Sequence, residues 1–274
     1  MTTASLAVVI STYNAPHFLR LVLEGYRRQH DTNFSIYIAD DGSTEETTRL
    51  IQQMQDDFPV KIHHFRQKDK GFRKARIHNR VIQKIHEPQT LLTDGDCIPL
   101  PELVATHRRV AGGGYFINGS RILISRQYTH HLCKLNAFET NRSSIWWFKQ
   151  RISAHINRFT PLFMPVSLSR PSRQLEGIRG CHLACPTTTL HRVNGFDENF
   201  EGWGREDSDL CARLLHAGLS RRNLRGQPVL HLWHPESSRQ HLAQNDHILQ
   251  ACLDERRIEA VTGLKELDGE KHAS

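Results

Sequence analysis

The first hundred residues repeat one unit, a short apolar run, a polar turn and an amphipathic stretch at helical spacing. That alternation restricts the chain to an α/β fold with a mainly parallel, doubly wound sheet. Residues 6–10 form a continuous apolar run, the pattern of a strand covered on both faces, and end in Ser11-Thr12-Tyr13-Asn14. Pro16 suits the first turn of a helix with Phe18, Leu19, Val22, Leu23 and Tyr26 on one stripe. Residues 34–39 read as a second strand, Asp40-Asp41-Gly42 as its turn, and Ser43-Thr44-Glu45-Glu46 as a capping box opening a helix to about residue 55. A third strand over residues 60–65 precedes a helix over roughly 73–85, and a fourth over 90–93 runs into Asp94-Gly95-Asp96. Ligands of such sheets bind beyond the carboxyl ends of the strands, so the turns after the first, second and fourth strands are predicted to share one edge.

The second half is less regular. Residues 115–125 read as one or two strands, 128–136 as a short helix, and 206–217 as a helix closed by Gly218. A strand over 228–232 leads into His231-Leu232-Trp233-His234, and a polar helix begins at about residue 239. Between them, residues 144–168 mix Ile145, Trp146, Trp147 and Phe148 with Lys149 and Arg151. The segment reads either as an amphipathic helix at a membrane interface or as a helical subdomain packing its aromatics on the core.

Composition narrows the partners. A 38% hydrophobic content over 274 residues supports a substantial core, the alternating pattern is not a repeat of residue identity, and a formal charge of +7 favours nucleotide phosphates, nucleic acid or an acidic membrane surface. No stretch approaches the roughly 20 apolar residues of a membrane span, and the first ten residues lack a basic n-region, so a cytoplasmic protein is expected. Six scattered cysteines fit reduced thiols. Cys181 and Cys185 flank His182, but packing thiols are the stronger reading than zinc.

Three constellations carry chemistry. Asp94 and Asp96, at the end of an apolar strand, supply the oxygen ligands that hard divalent cations prefer, although Asp-Gly-Asp is also an ordinary turn. Trp203-Gly204-Arg205-Glu206-Asp207-Ser208-Asp209 places acids at a helix start, where the macrodipole favours them, beside an aromatic ring able to pack on a sugar face. His231 and His234 each offer an imidazole to a metal.

Taken in order, Ser11-Thr12-Tyr13-Asn14, Asp40-Asp41-Gly42-Ser43, Gly71-Phe72-Arg73-Lys74-Ala75-Arg76-Ile77-His78-Asn79 and Asp94-Gly95-Asp96 resemble the nucleotide-binding half of family-2 glycosyltransferases of the GT-A fold. Val193-Asn194-Gly195-Phe196-Asp197, the Trp203 to Asp209 segment and His231-Leu232-Trp233-His234 resemble the galactosyltransferase-type C-terminal segment of bacterial chondroitin-polymerase-like enzymes. The resemblance implies an inverting transferase that moves a sugar from a nucleotide diphosphate, a UDP-sugar, to a glycan or lipid-linked glycan of a bacterial lipopolysaccharide or capsule. Ser11, Thr12, Asn14 and Asp41 would line the nucleotide pocket, Arg76 would contact base or phosphates, and Asp94 the ribose and metal. Asp96 with His231 or His234 would hold Mn²⁺ or Mg²⁺. Asp207 would be the general base, with Trp203, Gly204, Glu206 and His182 around the sugars.

On the same resemblance, residues 1–111 form the nucleotide-sugar half, 112–238 the acceptor and catalytic half, with 144–168 as a membrane-facing insert, and 239–274 a helical tail. Two departures stand out: Gly95 occupies a position where many relatives carry a larger residue, and Gly180-Cys181-His182 stands where Gly-Cys-Asn is frequent. Two alternatives share some features. A nucleotidyltransferase would need a Gly-rich, basic loop after the first strand, and a nucleic-acid-binding protein would be repelled by Asp94, Asp96, Glu206 and Asp207. No nucleic-acid partner is expected.

Overall fold

The computed structural model describes residues 4–138, 143–236 and 238–270. The repeating unit folds as β1 (Leu6–Thr12), α1 (Pro16–Arg27), β2 (Phe34–Asp40), α2 (Glu45–Gln55), β3 (Ile62–Arg66), α3 (Lys74–Ile82) and β4 (Gln89–Asp94). A two-residue strand β5 (Cys97–Ile98) and α4 (Leu103–Val110) follow, then β6 (Tyr115–Asn118), β7 (Arg121–Leu123), α5 (Arg126–Leu135), α6 (Ser144–Ile152) and β8 (Ser167–Leu168). The chain continues through β9 (His182–Pro186), α7 (Thr187–Arg192), α8 (Glu206–His216), β10 (Ser220–Arg225), β11 (Val229–His231), α9 (Leu242–Asp254) and α10 (Leu264–Glu270).

Eight strands form one sheet in the order β3-β2-β1-β4-β9-β6-β10-β8. The first four are mutually parallel, β9 runs antiparallel between β4 and β6, and β10 is parallel to β6. Alternation along β1 accounts for the two layers of helices. Leu6, Val8 and Ile10 join a core with α1, α2 and α4, whereas Ala7 and Val9 join a second core with α3, α7 and α8. Each face buries large aliphatic side chains such as Leu19, Val22, Ile77 and Leu210, worth about 1.5–3 kcal/mol apiece on removal from water. The doubly wound α/β class is therefore observed.

Residues 115–125 are two strands that enter different sheets: β6 stays in the large one, and β7 joins a small sheet of order β5-β11-β7. The capping box did not form. Thr44 is the N-cap residue without a side-chain cap bond, and the Ser43 hydroxyl instead accepts from the backbone N–H of Asn14 at 2.9 Å. Only 144–152 of the aromatic segment is a regular α-helix; a single 3₁₀ turn, Thr160–Leu162, and β8 follow it. The last helix returns to the body, where the Gln83 side chain donates to the Leu264 carbonyl and Lys265 N–H to Asn194 Oδ1. All six cysteines are free.

Candidate functional site

The carboxyl ends of β1, β2 and β4 meet because the register places Ser11 opposite Asp94 and Thr12 opposite Asp40. The Ser11 hydroxyl donates to Asp94 Oδ1 at 2.8 Å, and Asp41 N–H to the Thr12 carbonyl at 3.0 Å. Gly95 is explained here: its N–H donates to the Ser11 carbonyl at 2.7 Å, and a Cβ would fall 2.8 Å from that oxygen. Asp41 accepts from the Gln67 side chain and from Arg73 N–H, and burial raises its carboxyl. Asn14, at φ +47°, accepts from Thr44 N–H through its side-chain oxygen. The Thr12 hydroxyl is buried without a partner among the described residues, and the next residue, Tyr13, is half exposed with its hydroxyl donating to Asp69 Oδ2 at 2.9 Å. Ser11, Thr12, Asn14, Asp41 and Asp94 thus share one edge.

A second group forms where β5 crosses β11. Cys97 pairs opposite His231 and Leu232 N–H donates to the Asp96 carbonyl, which sets the Asp96 carboxylate against both histidines. His231 Nε2 lies 3.7 Å from Asp96 Oδ1, and His234 Nε2 3.2 Å from Asp96 Oδ2. The ligand atoms of the three residues all lie within 4.8 Å of one another. The bond to Asp96 pushes His234 up to about 9, whereas burial lowers His231. His234 Nδ1 is 2.8 Å from the Pro235 carbonyl, the outer bond by which a metal-binding imidazole keeps its other nitrogen free. One carboxylate and two imidazoles form a donor set suited to a divalent transition ion, and Mn²⁺ fits it better than Mg²⁺, which favours oxygen throughout.

The third group centres on a residue to which sequence reasoning gave no role. Lys74 Nζ lies 3.2 Å from Asp94, 3.6 Å from Glu206 and 3.6 Å from Asp207. Partial burial alone would raise the Asp94 carboxyl, but the Lys74 ammonium and Ser11 hydroxyl outweigh it and hold Asp94 at about 2. For Asp207, burial and the charges of Glu206 and Asp94 prevail over Lys74 and push the carboxyl up to about 7. Gly180 lies so close that a Cβ there would fall 1.6 Å from Asp207 Oδ2. Helical spacing was the available signal for Lys74: residues two apart face different directions, so Lys74 and Arg76 cannot both enter one cleft.

Arg76 takes the other direction and ion-pairs with Glu198 at 3.0 Å, beside Asn79, which also donates to Glu198. His182 is fully enclosed. Its Nδ1 is 3.2 Å from the Ser120 carbonyl and its Nε2 is 2.8 Å from Nε2 of the buried His107, and burial holds it at about 4. The structure thus buries its imidazole in the core. Glu206 is buried and accepts from Gly204 N–H at 3.2 Å, while the Gly204 carbonyl accepts from Asn245, so both are tied into the α8 start. Trp203 is 42% exposed, with the Arg239 guanidinium 5.9 Å from its ring.

Among known proteins, the chain is 27% identical over 229 residues to validoxylamine A glucosyltransferase of Streptomyces hygroscopicus, covering 78% of this chain and 52% of that one. It is 25% identical over 248 residues to chondroitin synthase of Escherichia coli, covering 82% and 34%. The chain therefore spans about half or less of these relatives' lengths. Among solved structures, S. aureus TarS 1–349 superposes with a TM-score of 0.61 at 12% identity, over 96% of this chain and 68% of that one. The mannosyltransferase PcManGT from Pyrobaculum calidifontis, in complex with GDP-Man and Mn²⁺, gives 0.55 at 15% identity, over 92% and 62%. The fold is that of GT-A glycosyltransferases. The model of the N-terminal domain of galactosyltransferase matches residues 160–235. The model of glycosyl transferase family 2 matches residues 7–154, more than half of the chain, and the chain belongs to that family.

Proposed function

We propose that the chain is an inverting, metal-dependent glycosyltransferase that moves a sugar from a nucleotide diphosphate, a UDP-sugar, to a glycan or lipid-linked glycan acceptor of a bacterial surface polysaccharide. The observation that carries this reading is the Lys74 cluster, in which one ammonium joins Asp94 at the end of β4 to Asp207, whose carboxyl is raised to about 7. Such a carboxylate is matched to proton abstraction near neutral pH. In an inverting transfer the acceptor hydroxyl attacks the anomeric carbon from the face opposite the diphosphate, its proton passes to Asp207, and the anomeric C–O bond breaks with its electron pair leaving on the diphosphate. Lys74 is placed to meet that developing charge. Trp203 offers a sugar-packing face at the lip.

Ser11, Thr12, Asn14 and Asp41 are assigned to the nucleotide, with the exposed Tyr13 ring in the same turn. Asp96, His231 and His234 would hold Mn²⁺, with Asp94 alongside, and the ion when bound supplies positive charge opposite the diphosphate. TarS has been crystallised with UDP and with UDP-GlcNAc, and PcManGT with GDP-Man, so fold alone leaves the nucleotide to be measured. Calorimetry with UDP and GDP, with and without Mn²⁺, on wild type and Asp96→Ala is the test. Mn²⁺-dependent UDP binding lost in the variant is expected; no binding of either nucleotide under any condition overturns the reading.

No helix among the described residues is long and apolar enough to cross a membrane. α6 nonetheless exposes Ile145, Phe148 and Ile152 on one face, and Phe163, Met164 and Val166 are exposed in the segment that follows it. With Lys149 and Arg151 beside them, these suit an anionic bilayer surface on the cytoplasmic side. Vesicles containing phosphatidylglycerol are expected to sediment the protein at low salt, and Phe148→Ser/Ile152→Ser to stay in the supernatant. Failure of wild type to sediment removes the membrane contact and leaves the transferase reading intact.

A further inference from the structure

We propose that a second pocket, lined by Arg121, Arg158, Arg179, Arg221 and Arg225, binds an oxyanion carried by the acceptor, a phosphate or a carboxylate. That the anion belongs to the acceptor rests on the transferase reading; the pocket's affinity for an oxyanion does not. The cavity measures about 380 Å³, room for a phosphate or one acidic sugar, and no carboxylate lines it. Elsewhere in the chain some arginines, such as Arg173 and Arg192, donate to backbone carbonyls, while Arg27, Arg66, Arg205 and Arg213 pair with acids. None of these five does so among the described residues.

Arg221 shows how the charge is held. It is only 7% exposed, and its donors go to neutral oxygens: Asn223 Oδ1 at 2.9 Å, Asn118 Oδ1 at 3.2 Å, and the carbonyls of Gln174 and Glu176 at 3.1 and 2.6 Å. The guanidinium is fixed while its positive charge is left uncompensated. Arg158 donates to the Arg121 carbonyl at 2.6 Å, which ties the segment after α6 to the pocket wall. Like charges gathered around one cavity repel, and an anion between them removes that cost. Planar guanidinium forks match the paired oxygens of phosphate and carboxylate.

The pocket's position points to the acceptor. Arg179 precedes Gly180, on which the Asp207 carboxylate rests, and Arg121 lies opposite Val229, two residues before His231. An anion bound there sits beside the proposed base, on the β6 and β10 side of the sheet and away from the β1 and β2 turns.

The test is calorimetry on the full chain with saturating UDP and Mn²⁺, which fills the donor site before methyl phosphate or methyl glucuronide is injected. Arg179 and Arg225 are exposed, so Arg179→Ala/Arg225→Ala is expected to keep the fold, and circular dichroism verifies it. Wild type is expected to bind at least one of the two anions, and the double variant to bind it about tenfold or more weakly, the loss of one or two charged contacts. Arg27→Ala, far from the pocket, should bind like wild type. Binding of phosphate alone identifies a phosphorylated acceptor, of glucuronide alone an acidic sugar, and of both an oxyanion in general. Absence of binding to either anion, or equal binding by the double variant, overturns the proposal, and UDP binding in the same sample leaves the transferase reading standing. If UDP fails to bind while the anion binds and the double variant loses it, the transferase reading falls and the pocket remains.

Discussion

The parallel half of the sheet and the mixed half build their edges by different means. In the parallel half, Ser11, Thr12, Asp41 and Asp94 are carried at or just past the ends of adjacent strands, so backbone register alone brings them together. In the mixed half, Asp207 starts a helix, His231 ends a strand of a separate small sheet, and the arginine pocket draws on four stretches of chain between residues 118 and 226. Register is local and repeats, whereas the second arrangement needs the whole tertiary fold. Lys74 joins the two, since it belongs to the parallel half by sequence and contacts Glu206 and Asp207 of the other. The joined cleft can be broken residue by residue.

The largest effect is expected at Asp207. Asp207→Asn keeps the shape and removes the base, so turnover of a UDP-sugar should fall about 10³-fold while Mn²⁺-dependent UDP binding stays within a factor of about two. Because the carboxyl sits at about 7 and must be ionised to accept a proton, wild-type turnover should decline as pH falls through that value. A pH–rate profile flat between 5.5 and 8.5, each to about a quarter unit, would remove Asp207 from that role.

Lys74→Met is expected to come next, with turnover reduced about 100-fold through loss of a preorganised cation. The same variant sharpens the pH argument. Lys74 lowers the Asp207 carboxyl, so its removal should move the acid limb of the profile to higher pH. A rate loss with an unmoved limb would mean that Lys74 meets the donor without acting on Asp207.

His182 tests the boundary between cleft and core. His182→Leu leaves the buried His107 donor unsatisfied and should cost about 2 kcal/mol of stability, measured by urea denaturation, with UDP affinity unchanged. The sign of the pH effect follows from its lowered value. The unfolded chain takes up a proton near pH 6.5 and the folded one only at about 4, so His182's contribution to stability is lost as pH drops between them. A variant as stable as wild type but with a raised acceptor KM would return His182 to the sugar site.

The same contrast explains what could be read from the sequence. Period and turn chemistry located β1 to β4 and the polar residues at their ends, because each is specified within a few residues. The strand β5 was invisible at two residues, and so was the reason that both histidines meet Asp96. Glu206 and Asp207 could be placed at a helix start, but the turn of Glu206 back onto Gly204 follows from positive φ at Gly202, Gly204 and Arg205. Capping at Ser43 failed for a comparable reason: the hydroxyl found a partner 29 residues away in Asn14. The arginine pocket left no local signature, only a net charge of +7 without an address.

Arg76→Ala carries the smallest expected effect and the sharpest contrast with motif reading. If Arg76 gripped the nucleotide, its loss would weaken UDP binding tenfold or more, about 1.4 kcal/mol for one charged contact. In the structure its guanidinium instead pairs with Glu198, whose carboxylate also accepts from Asn79, so the residue fastens α3 to the segment after α7. With side chains only 28% and 9% exposed, the pair is largely buried, and the variant should lose about 1.5 kcal/mol of stability with UDP affinity unchanged within about twofold. Glu198→Ala should behave alike, and the double variant should cost less than the two single losses added together, because both remove the same contact. Additive losses, or a tenfold drop in UDP affinity for Arg76→Ala alone, would place this guanidinium in the nucleotide pocket and leave Lys74 as a second cation there.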